Sequence, residues 1–338
     1  MTACASAPAG IAPCQDPRVG DDRLITRIER ALGAPSLLDR LAKLPGSELQ
    51  SLLLAVHRRR AALLSARDVL RAYEANKFVQ PSPLDPATLL ELDRLALPLL
   101  PPGYEPLVLS PVCPFGASAV LGAIHQDWVL AASRQTEVVS DPTIALSLEC
   151  AARRRALKQS GGGNGSRINL FATHRAIRCQ PFSPPSRQHF SLIALCSAGR
   201  DAGGHRFDTE TLIEHLTVYL DLTERAAAFY SPRIGLRVAL TPLEGGVSAE
   251  RLEEHVVQPL TKRFPDVRFE FDQDRQNGKS GYYIRACFKV WLVTSEGEAN
   301  VADGGFTDWT QRLPSDRKER VLTSGLGTEI LAPFLTPR

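Results

Sequence analysis

The sequence has no long apolar run and little net charge, and each absence excludes a class of protein. No stretch of about 18 consecutive apolar residues occurs, so the sequence predicts no membrane-spanning helix. Forty Lys and Arg oppose 37 Asp and Glu, which leaves a net charge of only +3. A dedicated nucleic-acid-binding protein usually carries a strong basic excess. We therefore expect neither a membrane protein nor a partner of tRNA.

Metal-binding and disulfide patterns are also missing. The seven cysteines include no Cys-x-x-Cys pair, and their number is odd. The seven histidines show neither His-x-x-x-His nor His-Glu-x-x-His spacing, which zinc sites on helices use. The sequence therefore predicts no metal ligands and no disulfide framework. Reduced cysteines are typical of the cytosol, so we expect a cytoplasmic protein.

The hydrophobic pattern divides the chain into three segments. Residues 1–20 are rich in Ala, Pro and Gly and lack the basic start and apolar run of a signal peptide, so they predict a disordered tail. Residues 21–80 predict an N-terminal helical region, because the apolar residues of 49–56 recur at i, i+3, i+4 and i+7. Residues 81–338 carry short apolar runs between Pro- and Gly-containing turns, which is typical of strands with inserted helices.

Local signals then predict the fold class. Residues 282–293 form the clearest strand, since every second side chain from Tyr282 to Leu292 is apolar. Asn277-Gly278, between that strand and the preceding one, predicts a hairpin turn because both residues tolerate a positive φ. Strands joined by hairpins imply an α+β fold with a largely antiparallel sheet flanked by helices and preceded by the N-terminal helical region.

A polar segment ends at Asp141-Pro142-Thr143, just before a predicted helix. Asp141 or Thr143 can cap that helix, because both side chains accept hydrogen bonds from the first backbone N–H groups. A carboxylate in this place can equally bind an amino group. The residues alone leave both interpretations open.

Two arginines frame a proline-containing loop. Arg178-Cys179-Gln180 precede the loop, and Arg187 with Phe190 opens the next strand. On neighbouring antiparallel strands the two guanidinium groups can converge on a carboxylate or phosphate, to which they donate bidentate hydrogen bonds. The alternative is a pair of exposed arginines that form ion pairs with nearby acids.

Two glycine-containing segments follow near the end of the sequence. They are Gly304-Gly305-Phe306-Thr307-Asp308 and Ser324-Gly325-Leu326-Gly327. Glycine allows the backbone to approach a ligand closely, because it has no side chain. Either segment alone is weak evidence for a binding site.

Taken in order, these segments resemble the core of class II aminoacyl-tRNA synthetases. They are most similar to histidyl-tRNA synthetase and its paralogue, the regulatory subunit of ATP phosphoribosyltransferase. Residues 178–190 resemble motif 2, whose first arginine binds the ATP α-phosphate and the substrate carboxylate, and whose glutamate faces adenine. Residues 141–143 are similar to the family's Glu-Gly-Thr, whose acid and hydroxyl bind the substrate amine.

Three further segments complete the resemblance, which covers residues 80–335. Tyr282-Tyr283 with Phe288 resembles the histidine-pocket strand, and Gly304-Gly305 resembles that family's Gly-Gly-Arg-Tyr-Asp. Gly325-Leu326 lies where motif 3 is expected. The resemblance assigns Asp141, Thr143, Arg187, Tyr282, Tyr283, Gly304 and Gly305 to the substrate, and Arg178, Gln180, Phe190, Gly325 and Gly327 to ATP, with Arg178 as the catalytic residue.

Several family residues are replaced. The motif 3 arginine that binds the γ-phosphate is absent from Gly327-Thr328-Glu329-Ile330, and Arg317 or Arg320 is a candidate to replace it. Gln180 stands for the motif 2 glutamate, Gly281 for the aspartate before Tyr-Tyr, and Phe306 for the arginine of Gly-Gly-Arg. The chain also ends about where the family's anticodon-binding domain would begin.

The resemblance implies two functions. One is an enzyme that activates a small amino or carboxylic acid with ATP and Mg²⁺ and transfers it to an acceptor other than tRNA. In that enzyme Arg178 would stabilise charge on the α-phosphate. The other is a non-catalytic regulatory subunit that binds an amino-acid-like ligand. Either would form a homodimer or bind a partner protein.

Overall fold

A computed structural model describes residues 18–132, 134–161, 166–180, 188–201, 203–228, 234–273, 275, 282–295, 297–314 and 316–332. Most of the predicted tail, residues 1–17, lies outside these ranges, as do Arg187 and the predicted turn at Asn277-Gly278. Within the described ranges, none of the helices is long and apolar enough to cross a membrane.

The described part of the N-terminal region carries four helices: α1 (Arg18–Leu32), α2 (Leu37–Ala42), α3 (Gly46–Ala61) and α4 (Ala66–Ala75). Helix α4 begins with a capping box, in which Ser65 and Asp68 bond each other's backbone N–H. Helices α2, α3 and α4 are described along their whole length and bury no side chain. Several of their apolar residues, among them Leu52, Val69 and Leu70, are instead exposed.

Eight α-helices are described after the N-terminal region: α5 (Pro86–Ala96), α6 (Ala117–Val120), α7 (Pro142–Gln159), α8 (Arg206–Ala228), α9 (Ala249–Leu252), α10 (Gln258–Arg263), α11 (Trp309–Arg312) and α12 (Thr328–Leu331). A π-helical turn, Glu253–Val257, joins α9 to α10. Asp85 caps α5 through a hydrogen bond from the Ala87 N–H, and Pro86 fills the first position, where no intrahelical donor is needed.

Eleven strands are described: β1 (Tyr104–Pro106), β2 (Val112–Pro114), β3 (Ala131–Ala132), β4 (Thr136–Val138), β5 (Ile168–Ile177), β6 (His189–Arg200), β7 (Gly235–Pro242), β8 (Val267–Phe271), β9 (Ile284–Thr294), β10 (Gly297–Thr307) and β11 (Glu319–Gly327). Eight of them form one sheet in the order β1-β5-β6-β11-β10-β9-β7-β8. The other three form a small sheet in the order β2-β4-β3.

The α+β class is confirmed, but the prediction of a largely antiparallel sheet is wrong. The sheet is mixed, because β1 pairs with β5 and β7 pairs with β8 in parallel at its two edges. Helices α9 and α10 separate β7 from β8, and a crossover of this kind joins parallel strands. The predicted hairpin between β8 and β9 is also wrong, because these two strands do not pair: β7 lies between them in the sheet.

The two faces of the sheet are covered differently. Helices α5 and α8 cover one face, where Leu216 of α8 packs in the same cluster as Phe288 of β9. Helix α7 covers part of the other, where Ile144 packs in a second cluster with Cys196 of β6. The part of this second face that α7 leaves uncovered carries the candidate site, and we call it the site face.

A buried ion pair fixes α7 to β11. Arg154 of α7 donates two hydrogen bonds of 2.9 Å to the carboxylate of Glu319, and both side chains are fully buried. Arg154 also donates to the backbone carbonyl of Ser166, and Lys158 Nζ lies 2.9 Å from Glu319. The position of α7, and of the residues at its N-terminus, therefore depends on this pair.

A buried polar network lies on the opposite, helix-covered face. The ring nitrogens of His215 in α8 bond the hydroxyls of Ser324 (2.7 Å) and Ser197 (3.0 Å). Ser324 also bonds Tyr219 OH at 2.8 Å. Burial, with a further contribution from the charge of Arg167, lowers the pKa of His215 to about 3. The imidazole is therefore neutral at ordinary pH.

This shift predicts an acid-sensitive fold. In the unfolded chain a histidine has a pKa near 6.5, so below about pH 6.5 the unfolded state binds a proton that the folded state does not. His215 therefore destabilises the fold by roughly 1.4 kcal/mol per pH unit as pH falls from 6.5 towards 3. Urea unfolding of wild type and His215→Gln between pH 7 and 5 measures this slope. An identical slope in the variant would contradict the prediction.

Candidate functional site

Small and polar residues from four adjacent strands form the floor of the site. Ala194 of β6 pairs with Gly325 of β11, which pairs with Asp303 of β10, which in turn pairs with Lys289 of β9. Cross-strand partners lie on the same face of a sheet, and Ala194 belongs to the cluster packed under α7. Gly325, Asp303 and Lys289 are only partly buried. The floor is thus open where β11, β10 and β9 meet.

An ion pair between Arg178 and Asp141 lies at one side of the floor. Arg178 follows β5 and donates a 3.0 Å hydrogen bond to Asp141 Oδ2 and another, of 2.9 Å, to the Ser140 carbonyl. Its guanidinium carbon lies 5.3 Å from the centre of the Phe190 ring, which is within the range of a cation–π contact. The structure thus brings three of the predicted residues together.

Asp141 serves as both a helix cap and a charge partner. Its Oδ1 accepts hydrogen bonds from the Thr143 backbone N–H (2.9 Å) and the Thr143 hydroxyl (2.7 Å) at the start of α7. Its other oxygen accepts the bond from Arg178. The capping interpretation of Asp141 is therefore confirmed, and the binding of an amino group stays a prediction.

Aromatic rings line the space beside this pair. The ring of Tyr282 lies 4.7 Å from that of Tyr283 and 5.8 Å from that of Trp309, edge to face in both cases. Burial raises the pKa of Tyr282 well above its ordinary value, and the nearby charges of Asp141 and Asp303 raise it further, whereas Arg178 opposes them. Tyr282 is therefore neutral and lies within electrostatic reach of both carboxylates.

A second pair, Arg275 with Asp303, lies beyond Tyr283. Arg275 donates a 2.8 Å hydrogen bond to Asp303 Oδ2, and the Tyr283 hydroxyl donates to Asp303 Oδ1. Burial would lower the pKa of Arg275, but the charge of Asp303 and the neighbouring Cys287 and Tyr283 raise it. Neither member was predicted from the sequence. Asp303 could have been found from the sequence, because it directly precedes Gly304-Gly305. No pattern in the neighbouring sequence marks Arg275.

The two glycines of β10 lie at close packing contacts. A methyl group at Gly304 would lie 2.4 Å from Cβ of Ser324, and one at Gly305 would lie 2.5 Å from the Tyr283 ring. Both distances are shorter than contacting carbon atoms allow. Packing therefore explains the absence of side chains here, and Gly305 serves the site by making room for Tyr283.

The segment after β11 has no arginine directed at the floor. The resemblance expects the motif 3 arginine within Gly327-Thr328-Glu329-Ile330. There the buried Thr328 hydroxyl donates a 2.9 Å hydrogen bond to the Ser191 carbonyl, and Ile330 packs against the larger core. Glu329 instead receives a 2.8 Å hydrogen bond from Arg175 of β5. Among the described residues, this segment thus offers no cation to an ATP γ-phosphate.

Gln180, which replaces the motif 2 glutamate, is half-buried, two residues beyond Arg178.

Arg320, one of the two candidates for the motif 3 arginine, lies away from the floor. Arg320 lies five residues before Gly325 on β11, which places it about 17 Å away and on the opposite face. Its guanidinium bonds the backbone carbonyls of Arg317 and Glu319. Arg320 is therefore wrong as a replacement at the floor, whereas Arg317, which is exposed just before β11, stays a prediction.

The architecture defines a class. The chain has a class II aminoacyl-tRNA synthetase-like fold, and this part of the sequence-based expectation is confirmed by solved structures. An ATP phosphoribosyltransferase regulatory subunit/histidyl-tRNA synthetase from Bacillus halodurans C is similar with a TM-score of 0.55 and 11% identity, over 78% of this chain and 83% of that one.

Two further structures are similar. Apo histidyl-tRNA synthetase of S. aureus gives a TM-score of 0.52 at 13% identity, over 73% of this chain and 64% of that one. The RNA binding domain of threonyl-tRNA synthetase from Cryptosporidium parvum Iowa II gives 0.51 at 8% identity, over 74% and 63%. The matched part thus spans less than two thirds of these two chains. No protein-family model and no curated protein matches the sequence.

Proposed function

We propose that the site binds a small amino-acid-like zwitterion and that the chain acts as a ligand-binding or regulatory subunit. The observation that carries the proposal is the presence of two ion pairs, Arg178–Asp141 and Arg275–Asp303, on either side of neutral Tyr282. Each pair consists of one cation and one anion. A zwitterion carries one charge of each sign, and each needs an opposite partner when it leaves water.

The first pair suits the amino and carboxylate groups of the ligand. Arg178 would bind the carboxylate through its guanidinium fork, and Asp141 with Thr143 would accept hydrogen bonds from the ammonium group. Arg178 and Asp141 remain 18% and 14% exposed, so a ligand can reach both. Tyr283, Asp303 and Arg275 would then meet the ligand's side chain, which favours a polar one.

The ATP-binding residues that the resemblance implies fit less well. The described part of the segment after β11 gives the phosphate tail no cation. Ile330 is apolar and packs on the core, and Glu329 is acidic and pairs with Arg175 of β5. We therefore place ligand binding ahead of catalysis and assign no step to ATP or Mg²⁺. An adenylate-forming ligase remains the second candidate. It is favoured by Arg178, which stands where the resemblance expects the first motif 2 arginine and whose guanidinium packs on the Phe190 ring.

Binding is tested by calorimetry with a panel of free amino acids. For the tightest ligand we expect Arg178→Gln and Asp141→Asn each to weaken binding at least tenfold, about 1.4 kcal/mol, because each variant leaves one ligand charge without its partner. Arg94→Gln is the matched control, since Arg94 lies on α5 and its salt bridge is to Glu91 of the same helix. Saturable binding to none of the panel, or equal affinity in all variants, would contradict the proposal.

Amino-acid-dependent pyrophosphate exchange separates the two candidates. A binding subunit is expected to bind its ligand and to give no pyrophosphate exchange with any amino acid of the panel. Exchange in wild type that is lost in Arg178→Ala would replace the binding proposal by the ligase.

A further inference from the structure

An open depression separate from the floor is lined by three arginines. It has a volume of about 390 Å³ and is lined by Arg285, Arg317 and Arg320 with Gln311 and Glu244. Small-molecule sites commonly have volumes of roughly 300–1,000 Å³. The depression lies where β7 ends and where β9 and β11 begin. It is therefore large enough for a small ligand and has a cationic lining.

Arg285 occupies a strained position in this lining. Gly305 pairs with Cys287 whereas Phe306 pairs with Ile284, so β9 carries two extra residues at a bulge. Arg285 sits in that bulge with a φ of 69°, a left-handed conformation that is unfavourable for a residue with a side chain. Its guanidinium forms a salt bridge with fully buried Asp208 and lies 2.8 Å from His205 Nδ1. The surrounding structure thus holds one guanidinium at the depression despite a backbone cost.

Arg320 provides a second guanidinium that is not fully used. Its Nη1 bonds two backbone carbonyls, but its buried Nε has no hydrogen-bond partner among the described residues. Asp201 Oδ2 lies 3.8 Å from Arg320 Nη2 and 4.0 Å from Arg285 Nη2, beyond hydrogen-bond distance from both. Burial and the nearby charge of Arg285 lower the pKa of Arg320. Arg285 is thus paired with Asp208, whereas no carboxylate of the described residues lies within hydrogen-bond distance of Arg320.

We propose that this depression binds the phosphate group of a small molecule. A phosphate dianion accepts hydrogen bonds from several guanidinium groups at once, and it would relieve the repulsion between Arg285 and Arg320. Exposed Arg317 supplies a third fork from the rim. Glu244, also on the rim, disfavours a ligand that carries further negative charge on that side. The site lies away from the floor, so the inference does not rest on the proposed function.

Isothermal titration at constant ionic strength tests this site with three probes: inorganic phosphate, ribose 5-phosphate and AMP. We expect saturable binding of inorganic phosphate that weakens at least tenfold in Arg317→Gln and in Arg320→Gln. Arg94→Gln and Arg178→Gln should leave it unchanged, because both residues lie outside the depression. Tighter binding of either organic phosphate that weakens in Arg317→Gln but not in Arg178→Gln would support the proposal and show which molecule carries the group.

Two results would overturn the proposal. One is no saturable binding of any of the three probes. The other is a loss of binding in Arg178→Gln with none in Arg317→Gln, which would place phosphate at the floor instead. If Arg320→Gln fails to fold, Arg317→Gln decides the question, since the Arg317 side chain is exposed.

Discussion

Replacing Arg154 by alanine is expected to lower the free energy of unfolding by about 3–5 kcal/mol. The substitution leaves the fully buried carboxylate of Glu319 without its bidentate partner. Lys158 remains 2.9 Å away but is 30% exposed, so it compensates only in part. Removing one member of a buried pair is costly because the other charge stays out of water.

Arg153 offers a matched control on the same helix. It pairs with Glu105 and Glu149, whose side chains are 55% and 44% exposed. Solvent-exposed pairs of this kind contribute roughly 0–1 kcal/mol, so Arg153→Ala should change stability little. Urea unfolding of both variants measures the difference. Similar losses in the two variants would show that the buried pair does not dominate the attachment of α7.

Gly304→Ala is expected to destabilise the protein by about 2–3 kcal/mol through overpacking. The added methyl group would lie 2.4 Å from Ser324 Cβ and 2.6 Å from Cζ of Phe288. Ser324 cannot move away freely, because its hydroxyl bonds both His215 and Tyr219. The strain would therefore reach the buried network.

Gly325→Ala is the control for this packing effect, because Gly325 lies on the floor of the site and has room for a methyl group. A methyl group at Gly325 would meet no atom nearer than 4.0 Å, the Ile193 carbonyl oxygen. The urea midpoint should therefore stay close to that of wild type, although the methyl group would rise from the floor into the space proposed for the ligand. An equal loss of stability in both glycine variants would refute the packing argument for Gly304.

The sequence predicted individual elements better than their arrangement. The start of α7 at Asp141 follows from side-chain capping, a local effect that neighbouring residues determine. Which strands become neighbours is non-local. Nothing between β8 and β9 reveals that β7 lies between them in the sheet, because that placement depends on how α8 and the α9–α10 crossover pack.

The candidate site shows the same division. Asp141, Arg178, Phe190 and Tyr282 lie close together, as the ordered motifs implied, but Arg187 lies outside the described residues. The pair Arg275–Asp303 was missed because its members are 28 residues apart and meet only once the sheet forms. The bulge at Arg285 is equally invisible, since no local rule places an arginine at positive φ.

The exposed apolar faces of the N-terminal helices have a kinetic consequence. Isolated helices shorter than about 12–15 residues are marginal in water, which applies to α2 with 6 residues and α4 with 10. The longer α3, like α2 and α4, gains no buried side chain from the rest of the chain. We therefore expect their backbone amides to exchange with solvent deuterium by local opening. Amides of central strands, such as those of Leu195 and Leu326, should exchange only when the whole sheet unfolds. The two parts of the chain would then exchange on separate time scales.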